Sequence, residues 1–254
     1  MTTAEVASYW DRRPCNIRHS PHPVGSRTWS DEVERRKYFV EPHIPGFADF
    51  PAWRGKRVLE IGCGIGTDTL NFPRHGAEVT AVDISEQSLA IAADRARVHG
   101  LSNIWFVHSD AEKLGRMHHT KYDLIYSFGV LHHTPNPLAA LRQFRLYAGP
   151  RTVLKIMLYH RWSWKFWLAR QQPEAQAGCP VVHTYSRRSA RRLLEAAGFR
   201  ATNMKVAHIF PWRVRDYVEY HYVRAFPWNL VRGRLFRWLE RRLGAHLLIT
   251  AVPA

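Results

Sequence analysis

Glycine occupies alternate positions in Gly62-Cys63-Gly64-Ile65-Gly66, directly after the apolar run Val58-Leu59-Glu60-Ile61. A backbone that must turn with positive φ and let a ligand approach closely needs glycine, so the segment reads as a ligand-cradling turn at a strand end. The spacing departs from the Gly-x-Gly-x-x-Gly of dinucleotide-binding turns: the third glycine is already Gly66, and Thr67 follows it. A phosphate-binding loop fails too, since no Gly-Lys-Ser/Thr follows. Asp83 closes the next apolar run, 21 residues beyond Gly62, where a carboxylate can accept hydrogen bonds from both hydroxyls of a ribose. Asp110, in His108-Ser109-Asp110-Ala111 after the third run, can accept from an adenine amino group. Either aspartate alone reads as a helix cap or turn residue. Glycines and acids at three successive strand ends point instead to a nucleoside-binding crevice.

His132 and His133 follow the fourth run and therefore face the same crevice. An imidazole titrates near neutrality, which makes both candidates for accepting a proton from a reacting group; the structural alternative is that one caps the following turn and the other is buried. Tyr9, Trp10 and Arg13, in Tyr9-Trp10-Asp11-Arg12-Arg13-Pro14-Cys15-Asn16, combine aromatic and cationic groups suited to a planar or carboxylated small molecule. His208 and Trp212, in His208-Ile209-Phe210-Pro211-Trp212-Arg213, are a second candidate wall for substrate. Packing alone explains either cluster equally well.

Alternating elements must position these groups. From Arg57 onward short β-branched runs alternate with amphipathic segments, the signature of a parallel sheet covered by helices. The predicted strands are Arg57 to Ile61, Glu78 to Val82, Ile104 to Val107, Tyr122 to Tyr126, Thr152 to Met157, Arg200 to Ile209 and Leu247 to Val252. A helix is expected from about Thr67 to His75. Ser85, Asn136 followed by Pro137, and Ser186 are expected to open others, with Gly100 and Gly198 just past two of their ends. Three parts fall outside the alternation: residues 1 to 56, 160 to 182 and 210 to 245. Tyr9, Trp10, Trp29, Trp212, Tyr217, Tyr220, Tyr222 and Trp228 make residues 1 to 30 and 210 to 245 too aromatic for linkers, so these are expected to be buried in a cover over the crevice. The organisation expected is an N-terminal cap segment, 1 to 56, and a domain from 57 to 254 with 210 to 245 inserted as a lid.

VLEIGCGIGTDTL, AVDIS, HSDAEKL and YDLIYSFGVLHHTPNP together resemble the motifs of the class I S-adenosylmethionine-dependent methyltransferases, over Arg57 to Ile209 and the final strand. The resemblance implies a Rossmann-like doubly wound α/β sheet of order 3-2-1-4-5-7-6 with the last strand antiparallel. It implies S-adenosyl-L-methionine as cofactor, leaving as S-adenosyl-L-homocysteine, with Gly62, Gly64 and Gly66 bordering the methionine and ribose and Glu60 supporting the loop. Cys63, Asp83, Ile84, Asp110, Ala111 and Phe128 complete the expected cofactor set. Ser127-Phe128-Gly129-Val130 stands where many enzymes acting on base amines carry Asn/Asp-Pro-Pro-aromatic, so a nucleobase amine is disfavoured and a small-molecule O- or N-acceptor is expected.

Composition bounds the rest. At 254 residues and 46% hydrophobic, the chain can bury the core of one α/β domain with additions. The formal charge of +16 admits a polyanionic partner such as RNA, or an anionic membrane surface. Its dispersal through arginine pairs reads instead as a solvated face, so nucleic acid is not favoured; a basic RNA methyltransferase and a non-catalytic cofactor-binding module stand as the alternatives. Cys15, Cys63 and Cys179 show no CxxC spacing, which argues against a zinc knuckle or disulfide framework; no metal site is expected. With no apolar run of membrane-spanning length and no secretory leader at its start, the chain reads as cytoplasmic.

Overall fold

A computed structural model describes residues 2–168 and 179–254. Its centre is a seven-stranded sheet of order β3-β2-β1-β4-β5-β7-β6, formed by β1 (Arg57–Ile61), β2 (Glu78–Asp83), β3 (Ile104–His108), β4 (Tyr122–Phe128), β5 (Ala148–Tyr159), β6 (Phe199–Ala207) and β7 (His246–Pro253). The first five strands pair in parallel, and β7 runs antiparallel between β5 and β6. Val58, Leu59, Ile61, Leu124 and Ile125 are buried in the central strands, as expected where helices cover both faces of a parallel sheet. Because β7 is antiparallel, its first residue, His246, pairs with Tyr159 near the carboxyl end of β5 and with Ala207 at the end of β6. The start of β7 thus joins the crevice edge.

Side-chain caps place the helix starts. Ser85 Oγ accepts from Ser88 N at 3.0 Å before α5 (Glu86–Val98), Asn136 Oδ1 from Ala139 N at 3.0 Å before α6 (Pro137–Tyr147), and Ser186 Oγ from Ser189 N at 3.1 Å before α7 (Arg187–Ala196). Each satisfies an N–H that the helix leaves without a partner. Gly100 and Gly198 follow α5 and α7 with φ of 67° and 77°.

Two expected elements are corrected. The helix expected from Thr67 to His75 is only the turn α4 (Asn71–Arg74). Thr67 to Leu70 form tight turns, and Pro73 has no N–H to donate to Thr69. The strand expected to reach Ile209 stops at Ala207, because His208 takes a left-handed φ of 69° that an extended strand does not allow.

Before the sheet lie α1 (Thr3–Arg12), α2 (Arg27–Val40) and α3 (His43–Ala48). α1 and α2 both pack on α5. Arg95 of α5, with no solvent exposure, donates to Ser30 Oγ at 2.8 Å, Ile65 O at 2.7 Å and Thr67 Oγ1 at 2.9 Å, tying α2 to the glycine turn. The segment between β6 and β7 carries α8 (Val214–Val218) and α9 (Gly233–Leu243). It meets the N-terminal segment directly. Tyr217 OH bonds His19 Nε2 at 3.0 Å, Tyr220 OH donates to Arg18 O at 3.1 Å, Arg36 donates to Tyr217 O, and Phe39 stacks on Trp212. Of the eight aromatics expected to be buried, Tyr9, Trp29 and Trp228 are, whereas Tyr220 and Tyr222 remain 36% exposed at the outer surface of this layer. The middle of the stretch 160 to 182 lies outside the described residues. Among those described, no helix is long and apolar enough to cross a membrane.

Candidate active site

The parallel register puts the expected cofactor residues at one edge. Ile61 pairs with Val82 and Asp83 with His108, so the glycine turn, Asp83 and Asp110 leave three neighbouring strands side by side. Gly62, Gly64 and Gly66 have φ of 76°, 54° and 78°. A Cβ on Gly62 would lie 2.0 Å from a Val130 methyl, and one on Gly66 2.9 Å from Ala92 Cβ. The first glycine thus admits the loop after β4, and the third admits α5.

Asp83 accepts from Gly64 N at 2.7 Å and Ser85 N at 2.9 Å. A carboxylate offers about four lone-pair sites, so these bonds orient it without using its capacity. Burial raises its pKa, against the lowering effect of those backbone bonds. Asp110 accepts from Glu112 N at 2.8 Å in an Asx turn, beside buried Ala111. Ile84 is partly buried next to Asp83, and its carbonyl lies 3.0 Å from His108 Nε2. Glu60 is buried and its Oε2 has no hydrogen-bond partner. Burial and then the charge of Asp68 push its carboxyl well above the usual range. Burial likewise holds the Cys63 thiol protonated.

The loop after β4 forms the next wall. His132 stacks on Tyr159 with centroids 3.7 Å apart, and neither of its ring nitrogens has a hydrogen-bond partner. His133 Nδ1 lies 2.8 Å from Val181 O and 3.3 Å from Cys179 Sγ. With Nδ1–H donated to the carbonyl, Nε2 is left as the basic atom; it is buried without a partner. Burial lowers both histidines, His132 well below the ordinary imidazole value and His133 to about 4. Trp10 of α1 meets the His133 ring edge-on at 5.4 Å, and Asp11 next to it accepts from Ser85 Oγ at 2.8 Å. Helix α1 therefore lies across the ends of β2 and β4. Tyr9 is buried beside Trp10, and Arg13 sits over the Tyr9 ring. Trp212 is elsewhere: among the described residues its ring partners are Phe39 and Tyr222, and it lines a hollow of about 460 Å³ with Arg213, Arg224 and Arg232. His208 sits at the β6 end, 4.5 Å from the His246 ring.

Asp68 lies within VLEIGCGIGTDTL, whereas Lys37 and Glu41 belong to no motif. Asp68 accepts from Lys37 Nζ at 2.9 Å, Tyr38 OH at 3.1 Å and Tyr126 OH at 2.9 Å. Burial works against the Lys37 charge, but Asp68, Glu41 and Glu60 outweigh it and raise the lysine. Cys15 is open to solvent, yet the protein atoms around it push its thiol up to about 11, with Lys37, Glu41 and Asp83 the charges that act on it. Phe128, at the end of β4, lies 5.9 Å from Lys37 Nζ and 5.6 Å from the His246 ring. Lys37 on α2 and Glu41 just past its end are four residues apart, a pattern indistinguishable in sequence from a solvated face.

A family model for a methyltransferase domain matches residues 33–203. Among curated relatives, a ubiquinone biosynthesis O-methyltransferase of Bordetella parapertussis is 34% identical over 133 residues, covering 50% of this chain and 54% of the relative. Another of that name, from Acinetobacter baylyi, is 27% identical over 151 residues, covering 58% and 55%. The chain thus spans about half the length of the curated relatives it matches. Among solved structures, magnesium protoporphyrin IX methyltransferase from Synechocystis with bound SAH aligns over 100% of both chains with a TM-score of 0.65 at 16% identity. The [4+2]-cyclase SpnF aligns over 99% of this chain and 92% of its own, with a TM-score of 0.59 at 20% identity. At these identities the structural likeness is one of fold.

The burial of His133 has a pH signature. An unfolded imidazole titrates near 6.5 and the folded one near 4, so between these values the unfolded chain binds the extra proton. Stability gained by burying the neutral ring is complete above about pH 6.5 and is lost as pH falls toward 4. In urea unfolding, the stability gap between the wild type and His133→Asn is expected to narrow from about pH 7 to about pH 4. A gap that does not change with pH contradicts a neutral, buried His133.

Proposed function

This chain belongs to the methyltransferase-domain family, and on that premise we propose that it transfers a methyl group from S-adenosylmethionine to a hydroxyl of a small molecule. The observation that carries the reading is the side-by-side placement of the Gly62 to Gly66 turn, Asp83 and Asp110 at three adjoining strand ends. The residues fit the cofactor. Asp83 keeps lone pairs for ribose hydroxyls, and Gly64, with a positive φ and no atom within 4 Å of where a Cβ would stand, leaves the backbone open to close approach. Oxygen is favoured as acceptor by the curated relatives, which are named O-methyltransferases.

When bound, the cofactor supplies a methyl carbon already activated by a sulfonium, so the protein's task is to orient the acceptor and exclude water. Trp10 and the cover made by residues 1 to 30 and 210 to 245 perform the exclusion. His133 Nε2 accepts the acceptor's proton, oriented through Nδ1 by Val181 O in the way a second group aims a general base. With a pKa near 4, His133 takes that proton only in concert with methyl transfer. His132 packs the wall against Tyr159.

The test follows labelled methyl from S-adenosylmethionine into a panel of phenols, catechols and bulk RNA. Incorporation into a small phenolic acceptor is expected, with His133→Ala lowering kcat by about 10² to 10⁴ while cofactor affinity holds. Methylation of RNA with a steep salt dependence, or no turnover on any acceptor, overturns the reading.

The cover is tested separately by replacing residues 212 to 243 with a short Gly-Ser linker. Cofactor binding is expected to survive, since no cofactor residue lies in that stretch, while turnover falls. Turnover at the original rate and acceptor affinity contradicts the covering role.

A further inference from the structure

Four titratable side chains from four elements meet where β6 ends and β7 begins, outside the expected cofactor set. Glu41 is the residue just past α2, and Pro42 turns the chain so that His43 opens α3 two positions later. His208 ends β6 in its left-handed conformation, and His246 begins β7. One donor atom from each of Glu41, His208 and His246 can be chosen so that all lie within 4.8 Å of one another. His246 Nε2 is 3.6 Å from Glu41 Oε1. Adjacent donors around an ion with bonds of roughly 2.0 to 2.2 Å stand roughly 3 to 3.5 Å apart, so small side-chain shifts close the shell.

We propose that Glu41, His208 and His246 bind one divalent first-row transition ion of the Zn²⁺ class. Two imidazoles and a carboxylate select such an ion over Mg²⁺ or Ca²⁺, which prefer all-oxygen shells. Three further observations agree with it. His246 Nδ1 is hydrogen-bonded to His43 Nε2 at 2.9 Å, the outer bond that fixes the tautomer of a metal-binding imidazole and leaves Nε2 facing the ion. His208 is 8% exposed, and no side-chain hydrogen bond joins it to another described residue. Its left-handed φ of 69° turns the chain out of β6 at this point.

Three protein ligands leave a coordination position open, the arrangement of a catalytic rather than a structural ion. Phe128, at the end of β4, packs within 5.6 Å of the His246 ring, so the cluster adjoins the crevice edge. Resting on the methyl-transfer reading, the open position receives the acceptor's oxygen and favours acceptors that carry hydroxyl or carbonyl donors.

The experiment strips the full-length protein with a chelator and titrates it with Zn²⁺ alone by calorimetry, and with Co²⁺ alone by visible absorption. One ion per chain is expected, with the intense ligand-field bands of a low-coordinate Co²⁺ site. Glu41→Gln and His246→Asn should each weaken Zn²⁺ binding at least about tenfold, while His22→Asn, on the surface, leaves it unchanged. Circular dichroism shows whether each variant folds, and the Co²⁺ spectrum of the wild type decides the matter should a variant fail to fold. A wild-type spectrum no different from aqueous Co²⁺, or equal Zn²⁺ affinity in folded Glu41→Gln and His246→Asn, overturns the site and leaves the cluster a hydrogen-bonded roof. Because the readout is binding, a bound ion without methyl transfer upholds the site and sinks the functional reading. Methyl transfer unchanged by chelation of a bound ion overturns the ion's part in holding the acceptor.

Discussion

The carboxylate of Asp68, almost without solvent contact, is the joint on which the arrangement of the crevice depends. It receives Lys37 and Tyr38 from α2 and Tyr126 from β4, and it stands two residues beyond the last glycine of the turn. A buried ion pair is weak evidence of net stability, but removing one partner costs about 3 to 5 kcal/mol because the other charge is left uncompensated. The turn, the central strand and the helix that begins the cover are therefore fixed relative to one another. Arg95 repeats the device from the opposite side, joining α5, α2 and the turn. Neither Lys37 nor Arg95 belongs to a motif, yet both decide where the motif residues stand.

Elements defined by local rules were legible in the sequence. β1 matches its expected span of Arg57 to Ile61, and Ser85, Asn136 and Ser186 cap as their hydroxyl and amide side chains dictate. The strands run a residue or more longer than expected where the sheet continues to pair, as at Phe128 and Tyr159. Local pattern misled where tertiary demands prevailed: Asp68 is drawn sideways into its buried network instead of prolonging a helix, and His208 breaks the strand that its apolar neighbours suggested. The placement of the glycine turn, Asp83 and Asp110 at neighbouring strand ends was legible because turn chemistry and strand ends are local. The meeting of Glu41, His208 and His246 was not, since it joins positions 205 residues apart through the antiparallel insertion of β7.

His132 and His133 show how far sequence carries chemistry. Their position after β4 was enough to place them at the crevice, but their roles separate only in three dimensions, one ring stacked with both nitrogens idle, the other aimed by a carbonyl. The net charge is a weaker guide. Arginines on α7 and α9 are exposed to solvent among other basic residues. A fold shared by methyltransferases and a cyclase cannot assign the reaction; the identities and geometry at the strand ends must.

Calorimetric titration of the wild type and Asp83→Ala with S-adenosylhomocysteine and NAD tests the nucleoside crevice most directly. The account predicts that the wild type binds S-adenosylhomocysteine and not NAD, and that the variant loses about 1.5 to 3 kcal/mol of that binding through the missing ribose hydrogen bonds. Binding of NAD without S-adenosylhomocysteine, or undiminished S-adenosylhomocysteine affinity in a folded Asp83→Ala protein, would contradict it.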